Sequence, residues 1–481
     1  MKKPALFALS VIFLTAPIWG FQFSATAAPI EENDWSIGAT LESDALRIAI
    51  EPFIRGGEPG GVFPLTTGAM VIKGGRVFHE FYRTESGFGP ASRHPLWSVS
   101  KSFLHGFVGA ALQKGLIHLE DRSAEILHHP ELGEQTIADL LHMSSGLEWS
   151  ENYEGNDIVE SSVLEMLYGE SRQDVVNYVI AHPLSSHPGT VWNYSTGTSQ
   201  ILTVALENVF GDVNFPWSEL LEPIGAEDLV IERDQSGHLI GGAYDHGTVR
   251  DLARFGYLYS KDGVWNGSRI LPAGWAEYGS TPAPAFTADQ QAKQGDGWSY
   301  GAHWWTNRSG GQVESAFTDI PIDTFVAWGH FGQFIVVIPS ADLVIVRVGQ
   351  DRAQNFDLHG FVSAIFQWSI GGNKGLPMSA KSSGNTGGIM SGTGPAQESS
   401  WSDVPGEYSQ FSSKEMCSCL FVDGLPEDYC RFVVSMPPRL ADLWIDLDVR
   451  AVYGNLRYLN WHGYGPYPRH AQWQSEREGC K

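Results

Sequence analysis

The stretch HPLWSVSKSFLHGFVGAAL, residues 94–112, places a serine and a lysine three positions apart at the start of an apolar run. Residues three apart lie on the same face of a helix, so the side chains of Ser98 and Lys101 can touch. The apolar residues that follow continue a helix face toward a core, and a lysine beside such packing loses hydration. Lost hydration lowers the lysine pKa and lets it accept a proton from a hydroxyl. The pattern predicts a nucleophilic Ser98 with Lys101 as its general base.

The start of the helix adds a second feature to this pair. The first backbone N–H groups of a helix lack partners within it and lie at the positive end of its dipole, which suits an oxyanion. The spacing also fits a simpler interpretation, in which Ser98 caps the helix and the Lys101 stem covers apolar surface. Two distant stretches favour the chemical interpretation.

The first of these is HPGTVWNYSTGTSQIL, residues 187–202, where Tyr194 stands at a junction between a loop and an apolar helix. A tyrosine there can point its hydroxyl into a cleft, and a nearby cation would favour the phenolate and make it a general base or acid. The alternative is a tyrosine at the edge of the core with a satisfied hydroxyl.

The second is WGHFGQFIVVIP, residues 328–339, in which His330 and Gly332 precede a strand. A glycine at this point allows substrate or the nucleophile helix to approach the backbone closely, and the N–H of Gln333 can complete an oxyanion hole. The alternative for His330 is a structural histidine.

Together these stretches resemble, in order and approximate spacing, the three motifs of the serine β-lactamase-related hydrolases. That superfamily contains class C β-lactamases, DD-peptidases, carboxylesterases and the aminohexanoate-oligomer (nylon oligomer) hydrolases, to which the motif pattern is most similar. The phrases at 136–149, 187–196, 251–275 and 300–305 agree as well, and the likeness spans about residues 46–369. Several concordant motifs are far more specific than one.

The resemblance implies a role for each motif. Ser98 would be acylated, Lys101 and Tyr194 would share the proton relay, and Gln333 would join Ser98 in the oxyanion hole. His330 and Gly332 would bind substrate, without metal or cofactor.

Two residues depart from the β-lactamase pattern. Thr196 stands where β-lactamases and peptidases often have asparagine, and His330 replaces the usual lysine and lacks a permanent charge for a substrate carboxylate. Both departures fit the esterase and amide-hydrolase branches better than a dedicated β-lactamase.

The hydrophobic pattern agrees with that fold. Short apolar runs joined by tight turns predict strands near both ends of the main region, and helical periodicity predicts helices between them. The predicted strands are 69–72, 76–82, 334–338 and 343–348, and the predicted helices are 103–112, 136–142, 174–180, 249–259 and 355–369. We expect an α/β fold in which an antiparallel sheet, closed by distant segments, is flanked by helices and carries a helical insertion subdomain.

The chain divides into four predicted parts. Residues 1–27 run from lysines through an apolar stretch to small residues, which is typical of a secretory signal peptide and predicts an exported, periplasmic or secreted protein. An uncleaved membrane anchor is the alternative, and no later segment is long and apolar enough to span a bilayer. A hydrolase domain at 28–370, a Gly/Ser-rich linker at 371–400 and a small module at 401–481 follow.

All four cysteines of the chain lie in that C-terminal module. Export favours disulfides, and Cys417 and Cys419 are too close in sequence to pair easily with each other, so each would pair with Cys430 or Cys480. A metal site recruiting His462 or His470 is the alternative, although the spacing matches no common zinc pattern. The sequence identifies no partner for this module.

Charge and composition limit the remaining functions. A formal charge of −24 without a cluster of Lys and Arg excludes a nucleic-acid partner. A small or peptide-like amide or ester is the expected substrate, with β-lactam or DD-peptide turnover as one alternative and a penicillin- or peptide-binding protein without turnover as another. A polar segment that contains Glu148, Asn152, Tyr153 and Asp157 is a candidate substrate entrance, with a solvated loop as the favoured alternative.

Overall fold

The structure, a computed structural model, describes residues 41, 43–56, 65–152, 161–311, 313–351, 355–371, 414–423, 430, 441–446, 451–456, 469–475 and 479–480. The predicted signal peptide, and the predicted linker after Gly371, lie outside these residues. Their boundaries therefore stay predictions.

The strands, in chain order, are β1 Leu65–Lys73, β2 Arg76–Tyr82, β3 His94–Pro95, β4 Val230–Ile231, β5 Asp245–Gly247, β6 Val264–Trp265, β7 Ser268–Arg269, β8 Ser299–Tyr300, β9 Trp305–Thr306, β10 Phe325–Gly329, β11 Gln333–Ile338, β12 Leu343–Gln350, β13 Ala441–Asp446, β14 Ala451–Leu456, β15 Arg469–Ser475 and β16 Gly479–Cys480. The α-helices are α1 Asp44–Ile54, α2 Val99–Gln113, α3 Ser123–Leu127, α4 Ile137–Leu141, α5 Ser162–Tyr168, α6 Val175–Ile180, α7 Thr196–Phe210, α8 Val249–Ser260, α9 Trp275–Ser280, α10 Ala288–Gln294 and α11 Leu358–Ser369.

The main sheet has the strand order β2-β1-β12-β11-β10-β9-β8. Each neighbouring pair is antiparallel, and β1 near the start of the domain pairs with β12 near its end. The prediction of an antiparallel sheet closed by distant segments, with helices between, is confirmed.

Helices cover both faces of this sheet, as the alternation of its side chains requires. Met70 and Ile72 of β1 belong to one apolar cluster, together with residues of α2, α7 and α8. Ala69 and Val71 of the same strand belong to a second cluster, together with residues of α1 and α11. The buried strands are therefore apolar on both sides.

A smaller sheet, β3-β5-β4, lies beside the start of α2. His94 pairs with Gly247, and the N–H of Leu96 donates to the carbonyl of Asp245 at 2.8 Å. This sheet therefore holds the chain just before Ser98 against residues near 245.

The C-terminal cysteines form two disulfides, Cys417–Cys480 and Cys419–Cys430. The prediction of disulfides is confirmed, and the alternative of a metal site using these cysteines is wrong because every thiol is bonded. Backbone pairing continues the segment into the sheet β13-β14-β15-β16. Among the described residues, no helix combines the length and apolar character needed to cross a membrane.

Candidate active site

Ser98 occupies the position just before the first residue of α2. Its side chain makes no capping hydrogen bond, and 5% of its surface is exposed. The hydroxyl is therefore not occupied as a helix cap, which was the simpler interpretation of the Ser-x-x-Lys spacing. The preceding residue, Trp97, has φ +50°, a left-handed conformation that costs free energy in a bulky residue and occurs often at functional sites.

Lys101 lies one helical turn after Ser98, with 1% of its surface exposed. Its Nζ donates to Ser98 Oγ at 3.2 Å, to Thr196 Oγ1 at 2.9 Å and to the Gly242 carbonyl at 2.9 Å. Three acceptors from three different elements therefore fix the amine beside the serine.

Burial sets the protonation of this amine. Loss of hydration lowers the Lys101 pKa from 10.5 to about 8, while the charges of Glu151 and Asp245 act in the opposite direction. This is the direction expected from the apolar packing along α2. A substantial fraction of the amine is consequently neutral at mildly alkaline pH and can accept a proton.

Tyr194 reaches the same cluster from the residue before the cap of α7. Its ring centroid lies 4.9 Å from Lys101 Nζ, and its hydroxyl hydrogen-bonds with Ser98. Burial raises the Tyr194 pKa above its ordinary value, and this outweighs the Ser98 hydrogen bond, which lowers it. The expected phenolate is therefore wrong for the resting state, because burial and the charge of Glu151 both disfavour the anion. The resting Tyr194 side chain is a neutral phenol.

Glu151 belongs to this cluster and was missed by the sequence analysis. One carboxylate oxygen accepts the Thr196 N–H at 2.9 Å and the Trp149 indole N–H at 2.5 Å, and the other accepts the Thr196 hydroxyl. Thr196 in turn accepts from Lys101. The sequence did not reveal this role of Glu151, because its contact with Thr196 joins residues 45 positions apart in the chain.

Gly242 and Asp245 are two further neighbours of Lys101 that the sequence did not reveal. A Cβ on Gly242 would lie 2.9 Å from the Cβ of Ser199, so a glycine lets this carbonyl come close to α7 and reach the lysine. The side chain of Asp245 is fully buried, and burial raises its pKa well above the ordinary value.

The hairpin between β10 and β11 approaches the start of α2, but through a different glycine from the one expected. A Cβ on Gly329 would lie 2.2 Å from the Leu96 carbonyl and 3.2 Å from Val99. Gly332 instead has φ +82° and faces the Arg347 guanidinium. Of the two expectations for Gly332, the close approach to α2 is therefore wrong, because Gly329 makes it, and the approach of substrate stays a prediction.

Gln333 begins β11 opposite Gly329. Its side chain donates to the Gly349 carbonyl at 2.7 Å and to the His330 carbonyl at 3.2 Å, which fixes the hairpin. The part of its N–H in an oxyanion hole stays a prediction.

His330 lies in this hairpin with its ring centroid 5.8 Å from that of Trp97, the residue before the nucleophile. Burial lowers the His330 pKa to about 4, so the imidazole is neutral at physiological pH. The side chain adds an apolar edge and hydrogen-bonding nitrogens to this region, and no positive charge.

The polar segment after 147 is only partly involved. Glu148 is exposed, the carbonyl of Asn152 accepts from Ser161, and Tyr153 and Asp157 lie outside the described residues. Among the side chains that the structure places, no group of His, Cys, Asp and Glu is arranged to hold a metal ion.

The fold, together with a buried lysine that contacts a serine at the start of a helix, points to the class of serine hydrolases. The sequence profile of the family described as Beta-lactamase matches residues 49–359. The chain therefore belongs to the beta-lactamase family of serine hydrolases.

Individual relatives agree with this assignment. The 6-aminohexanoate-dimer hydrolase of Paenarthrobacter ureafaciens is 27% identical over 302 residues, which cover 59% of this chain and 72% of the relative. The solved structure of EstCE1, a hydrolase with promiscuous acyltransferase activity, has a TM-score of 0.53 and 16% identity, covering 66% of this chain and 98% of its own. That of a family VIII carboxylesterase has a TM-score of 0.51 and 17% identity, covering 67% and 96%. Both structures share the fold.

Proposed function

We propose that this protein hydrolyses amides or esters through an acyl-enzyme on Ser98. The observation that carries the proposal is the buried Lys101 amine, which contacts Ser98 at 3.2 Å and has its pKa lowered to about 8. A lysine so placed is suited to remove the serine proton.

In the first step, the neutral amine keeps two N–H groups for Thr196 and Gly242 and offers its lone pair to Ser98. The hydroxyl proton passes to Lys101 Nζ while Ser98 Oγ bonds to the carbonyl carbon of the substrate. The carbonyl oxygen takes up the negative charge, and the N–H groups of Ser98 and Gln333 are the proposed donors to it.

In the second step, the tetrahedral intermediate collapses and the bond to the leaving group breaks. The Tyr194 hydroxyl, a neutral donor, gives its proton to the leaving nitrogen or oxygen and regains one from the Lys101 ammonium. Water then attacks the acyl carbon and passes a proton through Tyr194 to Lys101. The bond to Ser98 Oγ breaks as that oxygen takes the proton back from Lys101, and the acid is released. Ser98, Lys101 and Tyr194 thus return to their starting protonation states.

The proposed substrate class is an amide or ester without a carboxylate beside the scissile bond. A neutral His330 offers no positive charge for such a carboxylate, and Glu151 adds a negative one near the relay. The 27% identical 6-aminohexanoate-dimer hydrolase supports an amidase of the nylon-oligomer type, with carboxylester hydrolysis as the other member of this class. We also propose that the protein is exported. Two features support this: residues 1–27 follow the order of residue types typical of a signal peptide, and the chain contains two disulfides.

Two other functions compete with this one. A β-lactamase or DD-peptidase would use the same three residues on a substrate with a carboxylate. A penicillin- or peptide-binding protein would be acylated and would not turn over. The neutral His330 disfavours the first, and the complete relay disfavours the second.

Intact-mass spectrometry with a fluorophosphonate tests the nucleophile. The unaltered protein should gain one adduct, Ser98→Ala should gain none, and Ser102→Ala, the same change one turn further along α2, should still be labelled. Turnover of linear amides, p-nitrophenyl esters and a chromogenic cephalosporin then separates the candidates. Full turnover by Ser98→Ala would contradict the proposal, and a stable adduct without turnover would favour the binding protein.

A further inference from the structure

A buried ionic cluster joins the C-terminal segment to the hydrolase domain. Lys414 and Glu232 form an ion pair in which neither side chain is exposed, although 182 residues separate them. Glu232 also accepts the Ser418 hydroxyl at 2.8 Å and the Cys480 N–H at 3.0 Å. Burial opposes ionisation of Glu232, but Lys414, His246 and the Cys480 N–H together outweigh it and lower the Glu232 pKa.

A second ion pair lies beside the first. His246 Nδ1 is 2.8 Å from Asp423 Oδ1, and both side chains are almost completely buried. Burial disfavours the imidazolium, yet the charges of Asp423 and Glu232 together raise the His246 pKa. The Lys414 ammonium also lies 3.8 Å from the Tyr244 ring centroid. Contacts of this kind with buried charges have a defined geometry and leave little freedom to the backbone that carries them.

Disulfides and apolar packing hold the C-terminal side of these contacts in place. Cys417 is bonded to Cys480 and Cys419 to Cys430, and the cysteines pack with Val422 against Val230 of β4. This segment lies outside the residues matched by the family profile, 49–359. The C-terminal half of the cluster therefore lies outside the region that this chain shares with the family.

The segment 240–247 connects this cluster to the nucleophile. On one side it carries Tyr244 and His246, which contact the C-terminal segment. On the other side the Gly242 carbonyl accepts from Lys101 Nζ at 2.9 Å, and the Asp245 N–H donates to Ser100 Oγ at 3.2 Å. The Glu232 N–H donates to the Tyr244 carbonyl at 3.0 Å, which fixes the middle of the segment.

We propose that the disulfide-bonded C-terminal segment positions the general base: Lys414 and Asp423, through Glu232 and His246, hold the segment 240–247 so that Gly242 fixes Lys101 beside Ser98. Lys414 and Asp423 are positioning residues and do not touch substrate. This inference rests on the proposed function, since it assigns a consequence for turnover to a contact with Lys101.

Lys414→Met in the full-length protein tests this role, because it removes the charge and keeps most of the side-chain length. We expect kcat to fall at least about tenfold with little change in KM, since small displacements of a reacting group are costly. A loosened segment also admits water to Lys101, so the acidic limb of the kcat profile should move to higher pH. The ionisable groups around Lys101 all remain in this variant, and they are Glu151, Tyr194, Asp245 and His303.

Two further variants separate positioning from general destabilisation. Lys414→Arg keeps the charge and should restore most of kcat and the unaltered pH profile. Lys293→Met makes the same chemical change at an exposed lysine near the end of α10 and should leave both unchanged. A folded Lys414→Met variant with the kcat and pH profile of the unaltered protein would contradict the proposal, and so would a loss that Lys414→Arg does not restore.

A second measurement serves if Lys414→Met does not fold. Asp423→Asn keeps the volume and removes the charge opposite His246, and it should show the same fall in kcat and the same shift in pH. Hydrogen exchange by mass spectrometry should show faster exchange in the peptide covering 240–247, and unchanged exchange with unchanged kcat would overturn the inference. Absence of acylation at Ser98 in the unaltered protein would contradict the proposed function alone, because the exchange result does not depend on turnover.

Discussion

The Glu151 carboxylate accepts hydrogen bonds from the Thr196 backbone N–H, at 2.9 Å, and from the Thr196 hydroxyl. The same hydroxyl oxygen accepts from Lys101 Nζ at 2.9 Å. A carboxylate is thus connected to the Lys101 amine through one threonine hydroxyl. This arrangement occupies the position where the β-lactamase pattern often has asparagine. The threonine has no side-chain amide to offer a substrate, and its hydroxyl instead hydrogen-bonds with both Glu151 and Lys101.

We expect Glu151→Gln to change the pH dependence of acylation. The Glu151 charge raises the Lys101 pKa against the effect of burial, so its removal should lower that pKa below about 8. Because Lys101 acts as a base when neutral, the acidic limb of the kcat/KM profile should move to lower pH, by roughly one unit. A kcat/KM profile from pH 5 to 10 on an activated ester measures the shift.

Glu148→Gln is the matched control for this prediction. Glu148 lies three residues away in the same segment but is exposed, and its charge is screened by solvent. Its variant should keep the pH profile of the unaltered protein. The prediction would be contradicted if the acidic limb of the kcat/KM profile did not move in Glu151→Gln, or if it moved equally in both variants. Glu151 would then have no specific effect on Lys101.

Tyr194→Phe tests the donor of the second step. The ring contacts with Trp192, Tyr300 and Trp305 remain in the variant, so the fold should be kept. Loss of the hydroxyl should lower kcat by about 10²- to 10⁴-fold, the usual contribution of a positioned acid or base, with a smaller change in KM. Steady-state kinetics with amides of differing leaving-group basicity should show the largest loss for the most basic leaving group, which depends most on protonation.

Tyr300→Phe provides the comparison, because its ring lies 5.6 Å from that of Tyr194 in the same buried aromatic cluster. It removes the same atom without touching Ser98 and should leave kcat within a few-fold. A mild loss in Tyr194→Phe, or equal losses in the two variants, would assign the proton transfer to another group.

The parts of this site that follow from local geometry could be predicted from the sequence. Ser98 and Lys101 are in contact because any helix brings residues three apart together. The apolar run after them predicts that this end of the helix is buried. Burial in turn explains the direction of the Lys101 pKa shift. The strand pairs at either end of the domain were also recognisable, because two short apolar runs joined by a tight turn are typical of paired strands.

The contacts that depend on distant segments could not be predicted in the same way. Glu151 and Gly242 reach Lys101 or its threonine only after the chain has folded, and neither residue type is unusual at its position in sequence. The prediction of a phenolate at Tyr194 was wrong, because the extent to which its side chain is buried depends on the tertiary structure. Gly332 attracted attention by its motif, whereas the close contact with the nucleophile helix belongs to Gly329, one strand earlier.

The last prediction concerns the stability cost of the buried base. The Lys101 pKa is lowered from 10.5 in the unfolded chain to about 8 in the folded protein, so between these pH values the unfolded state binds more protons. Stability therefore rises with pH across this interval, by roughly 3 kcal/mol in total, and the full penalty is present below pH 8. A residue that cannot titrate at this position should show no such rise.

Lys101→Met places a residue that cannot titrate at this position. We expect this variant to lose acylation and to keep the fold. Free energies of unfolding from urea titrations of both proteins at pH 7.5 and 10.5 should differ in their pH dependence, because every other titrating group is common to the two. The free energy of unfolding of the methionine variant, relative to that of the unaltered protein, should be lower by about 3 kcal/mol at pH 10.5 than at pH 7.5. A difference that does not change with pH would mean that Lys101 keeps an ordinary pKa, and the amine would then be a poor base near neutrality.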